Sequence, residues 1–235
     1  ELKINLILMI MSERVLPLLP SKEQIQQLPL FQNLALPQIQ VIHSLEQCQA
    51  IASELKRCAL FGFDTESKPT FNKGEVSTGP HLIQLASIEK AYLFQMTPAI
   101  LEFLQPILEN PAQLKVGFGL KNDGHLFRKK GIQLQGMVEL SKCFTSFGLN
   151  NAVGIKNAMA LLFQRNFPKS KKISTSNWAR KTLTTAQIQY ATADAYAALL
   201  VFIELQRLAL LPPHLYTRSL TFAMPFNTIN AKTEA

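Results

Sequence analysis

Three short segments of the sequence carry acidic residues at spacings that suit metal binding. In the first, Asp64 and Glu66 are two residues apart in a predicted strand, so both carboxylates point to one face, while Phe61 and Phe63 point to the other. Adjacent carboxylates repel each other unless a cation lies between them. Because Mg²⁺ takes oxygen ligands from one or two carboxylates and water, this segment is a candidate metal site. Two solvated acids at a strand end are the alternative interpretation.

The second and third segments place their acids on predicted helices. Asp123 lies near the start of a helix, where the helix dipole alone would stabilise its charge. Tyr190 and Asp194 are four residues apart, so the phenol and the carboxylate project from the same helix face. Alanines around them would let that helix approach a neighbour closely. Taken singly, these segments are also explained by an N-terminal helix acid and by an amphipathic helix with an incidental tyrosine.

The elements that must position these residues follow from hydrophobic periodicity and helix-capping signals. Strands are predicted at 38–43, 58–66, 81–88, 91–95, 115–118 and 137–140, the third and fourth forming a hairpin. Helices are predicted after Ser21 and at 45–57, 100–109, 121–130, 152–164 and 184–208, with loops at 68–80 and 165–181. Strands mixed with helices in this order predict an α/β domain whose mixed sheet has helices on both faces.

Composition limits the function classes further. Hydrophobic residues make up 47% of the 235 residues and charged residues 17%, which excludes a disordered chain. The net charge of +8 favours polyanionic partners such as nucleic acid. Three cysteines without metal-ligand spacing exclude a disulfide scaffold, make a zinc site improbable and suit a reducing, intracellular compartment. We expect no secretory signal, and no segment that reaches the roughly 20 apolar residues of a membrane span.

In the order Asp-x-Glu, Asp, Tyr-x-x-x-Asp, the four acids and the tyrosine resemble the DEDD superfamily of 3′–5′ exonucleases. The resemblance is to its tyrosine subgroup, which includes ribonuclease D and the Werner-syndrome-type exonuclease. It covers residues 38–207 and extends to the sequences LIQL at 82–85, KVGFG at 115–119, SNW at 176–178 and LTTAQIQYATADAYA at 183–197. The histidine subgroup would need a histidine at position 189, which is Gln189.

The resemblance implies a ribonuclease-H-like fold and phosphodiester hydrolysis by two Mg²⁺ or Mn²⁺ ions, roughly 4 Å apart. It implies that Asp64 bridges both ions, that Glu66 and Asp194 complete the site of the attacking water, and that Asp123 acts on the second ion, mostly through water. Tyr190 would orient that water, because a phenol with a pKa near 10 is a poor base at neutral pH.

A basic loop precedes the helix of Tyr190 and Asp194. Residues 165–181 hold six cations and no acid, together with the chain's one tryptophan, a combination that suits a nucleic-acid strand. Trp178 is expected to be buried in the core, as large aromatic side chains usually are, and stacking on a nucleic-acid base is the alternative. A solvated basic loop is the corresponding alternative for the cations. The predicted substrate contacts are Asn122, Lys171, Lys172, Trp178 and Arg180.

These observations predict an exonuclease that releases nucleoside 5′-monophosphates from 3′ ends, with DNA modestly favoured. RNA 3′-end trimming and a catalytically inactive nucleic-acid-binding module are the alternatives. The predicted organisation is an extension at 1–35, the exonuclease domain at 36–207 and a tail at 208–235. We expect single-stranded 3′ ends or recessed duplexes as partners, no membrane, and a homo-oligomer or separate processivity partner. The location would be cytoplasmic in a bacterium and nuclear in a eukaryote.

Overall fold

The computed structural model describes residues 19–70, 74, 78–149 and 151–215, apart from the side chains of Asn122 and Asp123. Residues 1–18 of the predicted extension, most of the predicted tail at 208–235 and part of the predicted loop at 68–80 lie outside the described residues.

Six strands form one mixed sheet, which confirms the predicted fold class. They are β1 (Ile39–Ile42), β2 (Leu60–Glu66), β3 (Leu82–Ala86), β4 (Ala91–Gln95), β5 (Leu114–Gly117) and β6 (Met137–Glu139). Their order across the sheet is β1-β4-β3-β2-β5-β6. The neighbours β2–β3 and β3–β4 are antiparallel, which confirms the predicted hairpin, and the remaining pairs are parallel. The central strand is therefore β2, which ends in Asp64 and Glu66.

Seven α-helices accompany the described sheet. They are α1 (Lys22–Gln27), α2 (Leu45–Arg57), α3 (Pro98–Leu108), α4 (Lys121–Arg128), α5 (Ile155–Phe163), α6 (Lys171–Ser174) and α7 (Thr185–Arg207). Short 3₁₀ turns lie at Leu36–Gln38, Leu140–Lys142, Thr145–Phe147 and Pro213–Leu215. Ser21, Ser44 and Thr184 begin α1, α2 and α7 through capping boxes, as their sequences predict. The loop predicted at 165–181 was wrong in one detail, since it contains the single turn α6.

The two faces of the sheet bury separate hydrophobic clusters. On one face, α7 and α5 pack over Leu60 and Val116. On the other, α2 and α3 cover Phe61 and Phe63, as the alternation along β2 predicts. The sheet therefore has helices on both faces, and the carboxylates of β2 share the α7 face.

The central helix α7 qualifies the expectation about membrane spans. Thr185–Arg207 is 23 residues long and contains a stretch with a mean hydropathy of 1.3, so its length and composition alone would allow it to cross a membrane. The expectation that no segment reaches this limit was therefore wrong. Because 78% of that stretch is buried inside the fold, packing against the sheet accounts for its apolar character.

One buried lysine ties β5 to the end of α3. Lys115 is fully buried, and its ammonium donates hydrogen bonds to the carbonyl oxygens of Ile107 at 2.8 Å and Asn110 at 2.9 Å. Burial lowers the pKa of Lys115 from 10.5 to about 8.

Candidate active site

Three carboxylates converge at the carboxyl end of the central strand. Oxygens of Asp64, Glu66 and Asp194 all lie within 4.8 Å of one another. Asp64 and Glu66 come from β2, and Asp194 lies on α7, the helix that packs most extensively on that strand. Asp64 and Glu66 share a face of β2, as the alternation along the strand predicts, and Asp194 joins them as the family resemblance implies.

A glycine allows the helix to lie this close to the strand. A Cβ atom on Gly62 would lie 1.9 Å from the carbonyl oxygen of Ala195, far inside any allowed contact. Ala191 and Ala195 of α7 are fully buried against the sheet. The contact of Gly62 with the Ala195 backbone therefore holds α7 close to the strand that carries Asp64.

Asp194 is the most buried of the three acids. Only 5% of its side chain is exposed. Burial raises the pKa of Asp194, and the nearby positive charge of Lys169 acts in the opposite direction. The Lys169 ammonium lies 3.5 Å from the Asp194 carboxylate. The folded protein therefore places one positive charge, that of Lys169, beside this buried acid.

Tyr190 lies one helical turn before Asp194 and faces the same acids. Burial first, and then the charges of Asp194 and Glu66, raise the pKa of Tyr190 far above its ordinary value. Its phenol therefore stays protonated at neutral pH and can act as a hydrogen-bond donor. The ring of Trp178 lies 6.1 Å from the Tyr190 ring, centroid to centroid.

The indole of Trp178 supports this tyrosine from inside the fold. Trp178 is fully buried, and its Nε1 donates a hydrogen bond to the carbonyl oxygen of Ser174 at 3.0 Å. The buried ring has no exposed face for a base, so the substrate-stacking alternative for Trp178 was wrong in this conformation. Core packing, the ordinary interpretation of a lone tryptophan, is confirmed.

The fourth predicted acid lies on the helix that follows β5. The backbone of Asn122 and Asp123 is in the first turn of α4, and their side chains are outside the described set. Strands β2 and β5 are parallel, so their carboxyl ends lie at the same end of the sheet. The chain therefore enters α4 close to the end of β2. The Glu139 carboxylate accepts hydrogen bonds from the backbone N–H groups of Gly119 at 3.1 Å and Leu120 at 2.8 Å, which fixes the turn that leads into α4.

The basic loop lies beside the start of α7. Lys171, Lys172 and Arg180, which the sequence predicts as substrate contacts, are exposed. Lys172 and Arg180 line a cleft of about 670 Å³ between α6 and the first turn of α7. Gln187 and Ser176 also line the cleft, and the Gln187 amide donates a hydrogen bond to Ser176 Oγ at 2.9 Å. Lys171 does not line this cleft.

Three residues near the site were missed by the sequence predictions. Lys169 was counted among the loop cations without its pairing to Asp194, and Glu139 was not considered. Asn33 donates hydrogen bonds to the backbone oxygen and Oε1 of Gln189, both at 2.8 Å, so the segment predicted as an extension contacts α7 beside Tyr190. No short spacing in the sequence signals these contacts, because their partners are 19 or more residues away.

The donor set of the cluster consists of carboxylate oxygens. Hard divalent cations such as Mg²⁺ and Mn²⁺ prefer oxygen ligands, whereas zinc and copper prefer nitrogen and sulfur. Three acids that share one small volume, with one of them 5% exposed, are stabilised when such a cation binds. The residues present therefore fit a divalent metal centre.

Comparisons with known proteins agree with this chemistry. The sequence pattern described as 3′–5′ exonuclease matches residues 39–209. A mouse protein named bifunctional 3′–5′ exonuclease/ATP-dependent helicase WRN is 32% identical over 168 residues, which are 67% of this chain and 12% of that protein. An Arabidopsis thaliana 3′–5′ exonuclease is 28% identical over 146 residues, which are 60% of this chain and 50% of that protein. The chain thus spans half or less of the length of these relatives.

Solved structures share the fold. The exonuclease domain of Nibbler from Aedes aegypti superposes with a TM-score of 0.64 at 20% identity, over 76% of this chain and 92% of that one. Trypanosoma brucei RNase D in complex with RNA U12 gives 0.62 at 18% identity, over 78% and 64% of the two chains. Escherichia coli RNase D, an exoribonuclease involved in structured RNA processing, gives 0.60 at 21% identity, over 72% and 44%. At these identities the likeness establishes the ribonuclease-H-like fold.

Proposed function

Because the chain belongs to the 3′–5′ exonuclease family, we propose that it removes nucleotides one at a time from nucleic-acid 3′ ends and releases nucleoside 5′-monophosphates. The observation that carries this proposal is the convergence of Asp64, Glu66 and Asp194 within 4.8 Å at the end of the central strand. An intact acid set favours an enzyme over a catalytically inactive binding module, because such a module needs no clustered acids.

Asp64, Glu66 and Asp194 would hold two Mg²⁺ or Mn²⁺ ions, with Asp123 as the fourth acid of the family pattern. When bound, such ions lower the pKa of a coordinated water and stabilise the leaving oxygen of an in-line displacement. The resemblance to the family implies that Asp64 would contact both ions, and its oxygens lie within reach of Glu66 and Asp194, as that role requires.

The side chains of the protein would orient the reactants and balance charge. Tyr190 donates a hydrogen bond from a phenol that remains protonated, so its role is to position the attacking water and not to remove its proton. Lys172 and Arg180 would contact phosphates along the cleft beside α7, and Lys171 would contribute from the exposed side of α6. Asn122, at the start of α4, is proposed to contact the substrate near Asp123.

DNA is proposed as the modestly favoured substrate, because the motifs at 82–85, 115–119, 176–178 and 183–197 resemble the Werner-type branch of the family. RNA 3′-end trimming is the second candidate. The observation that favours it is the fold shared with RNase D structures, one of them in complex with RNA. We also propose an intracellular location, supported by three free cysteines, and a homo-oligomer or a separate processivity partner.

The test is cleavage of three 5′-labelled substrates, namely single-stranded DNA, a duplex with a recessed 3′ end, and RNA, each with Mg²⁺ or Mn²⁺. We expect a ladder that shortens from the 3′ end, nucleoside 5′-monophosphate as product, and faster cleavage of DNA. Asp64→Ala serves as the matched inactive control. Endonucleolytic products, or equal activity in Asp64→Ala, would overturn the proposal, and faster cleavage of RNA would select the second candidate.

A further inference from the structure

The pairing of Lys169 with Asp194 brings a cation of the protein to a proposed metal ligand. The Lys169 Nζ atom lies 3.5 Å from Asp194 Oδ1. Asp194 is almost completely buried and fixed on α7, whereas 42% of the Lys169 side chain is exposed. The lysine is therefore the mobile partner, and its flexible stem allows the ammonium to leave this contact without a change in the fold.

A lysine ammonium and a divalent cation compete for the same carboxylate oxygen. Metal binding to Asp194 requires either that the ammonium withdraw or that two positive charges remain a few ångströms apart, and both alternatives weaken metal binding. The cost is moderate, because Asp194 is 5% exposed while the 42% exposed Lys169 is partly screened by water. Lys169 therefore opposes metal loading of the free protein.

The alternative partner for Lys169 is a substrate phosphate. Lys169 precedes Ser170, the N-cap of α6, on the loop that also presents Lys171 and Lys172. A nucleic-acid strand bound along this loop would place phosphate oxygens near the exposed side chain of Lys169. A lysine ammonium forms charge-assisted hydrogen bonds with phosphate oxygens as readily as it does with carboxylate oxygens. The lysine can therefore exchange one anion for the other within the reach of its side chain.

We propose that Lys169 couples metal binding to nucleic-acid binding by moving from Asp194 to a phosphate of the bound strand. The inference rests on the proposed function, since it assigns regulation to the same site. Its consequence is positive coupling, in which nucleic acid tightens metal binding and, by thermodynamic reciprocity, metal tightens nucleic-acid binding. The free protein then carries a partly neutralised acid cluster, and the full metal complement assembles with the strand in place.

The test is a Mn²⁺ titration of the full chain, followed by electron paramagnetic resonance, with and without a short oligonucleotide whose linkages are nuclease-resistant phosphorothioates. Lys169→Met keeps the length of the side chain and removes its charge. Without the oligonucleotide, we expect Lys169→Met to bind Mn²⁺ about threefold to tenfold more tightly than the wild type. With it, the affinities converge, because the wild-type lysine has left Asp194.

Two control variants distinguish this exchange from a general effect of charge or folding. Lys181→Met removes the same charge from an exposed lysine of the same loop and should leave Mn²⁺ affinity in the absence of oligonucleotide within about twofold of the wild type. Lys169→Arg keeps the charge and should retain the weaker, wild-type-like affinity. A purely structural role of Lys169 predicts the opposite sign, because a loosened site binds metal less tightly.

Each outcome of the Mn²⁺ titration either supports or overturns the proposed role of Lys169. Equal or weaker Mn²⁺ binding by Lys169→Met would overturn the inference, and so would a gap that the oligonucleotide leaves unchanged. If such a result accompanies metal-dependent 3′ cleavage by the wild type, the proposed function stands and the role of Lys169 fails. If neither the wild type nor Lys169→Met binds Mn²⁺, both proposals fail together.

Discussion

The close approach of α7 to β2 makes Gly62→Ala an informative substitution. The added methyl carbon would lie 1.9 Å from the Ala195 carbonyl oxygen and 2.8 Å from its carbon, both backbone atoms that cannot rotate away. Relief of the clash requires a separation of about 1 Å or more between helix and strand. Overpacking of this kind costs about 1–3 kcal/mol of unfolding free energy. Because Asp194 precedes Ala195 directly, the same movement displaces it from Asp64.

We therefore expect Gly62→Ala to remain folded at low temperature but to lose about 100-fold or more in single-turnover cleavage, since a 1 Å misplacement of reacting groups has this effect. The assay is cleavage of a 5′-labelled oligonucleotide under enzyme excess, with urea unfolding measured in parallel. Gly154→Ala is the matched control, because a Cβ atom at Gly154 meets nothing within 4 Å and its φ is −78°. Wild-type cleavage by folded Gly62→Ala would refute the argument that this contact sets the geometry of the acids.

Three further perturbations test individual residues. Tyr190→Phe should lower the single-turnover rate by about 100-fold while changing the unfolding free energy by less than about 1 kcal/mol, and an unchanged rate at saturating metal would make the phenol structural. Replacing Lys171 and Lys172 by Ala should reduce the magnitude of the slope of log affinity against log salt by about 0.7–0.9 per lost phosphate contact. Replacing Lys56 and Arg57, in the last turn of α2, should leave that slope unchanged. Lys115 has a folded-state pKa of about 8 against 10.5 in the unfolded chain, so the unfolded chain binds more protons between these values and stability rises with pH there. From about pH 7.5 to 9.5, the unfolding free energy of the wild type should rise relative to Lys115→Met by about 1 kcal/mol, after allowance for solvent screening, and a falling difference would contradict the assignment.

Local sequence rules were sufficient to predict which side chains project together when the residues lie within one strand or helix. The period of two along β2 predicts that Asp64 and Glu66 share a face, and the helical spacing of Tyr190 and Asp194 predicts that they project together. The Thr184 capping box predicts where α7 begins. These signals are determined by backbone geometry a few residues long, so no knowledge of the tertiary structure is needed to use them.

Contacts between distant parts of the chain could not be predicted in the same way. The pairing of Lys169 with Asp194 joins residues 25 positions apart through a flexible side chain, and the contact of Glu139 with the turn before α4 spans about 20 positions. Composition favoured the core for Trp178, but its support of Tyr190 emerges only once the loop is folded onto α7. These contacts depend on the tertiary packing of segments that are distant in the sequence.

The central claim is that Asp64, Glu66 and Asp194 form a two-metal centre at the end of β2. The most direct measurement is anomalous diffraction from a crystal of this protein soaked with Mn²⁺. We predict two anomalous peaks roughly 4 Å apart, both in contact with Asp64, and their loss in Asp64→Ala crystals treated in the same way. Manganese bound elsewhere, or two peaks that persist unchanged in Asp64→Ala, would contradict the assignment of the acid cluster as the metal centre.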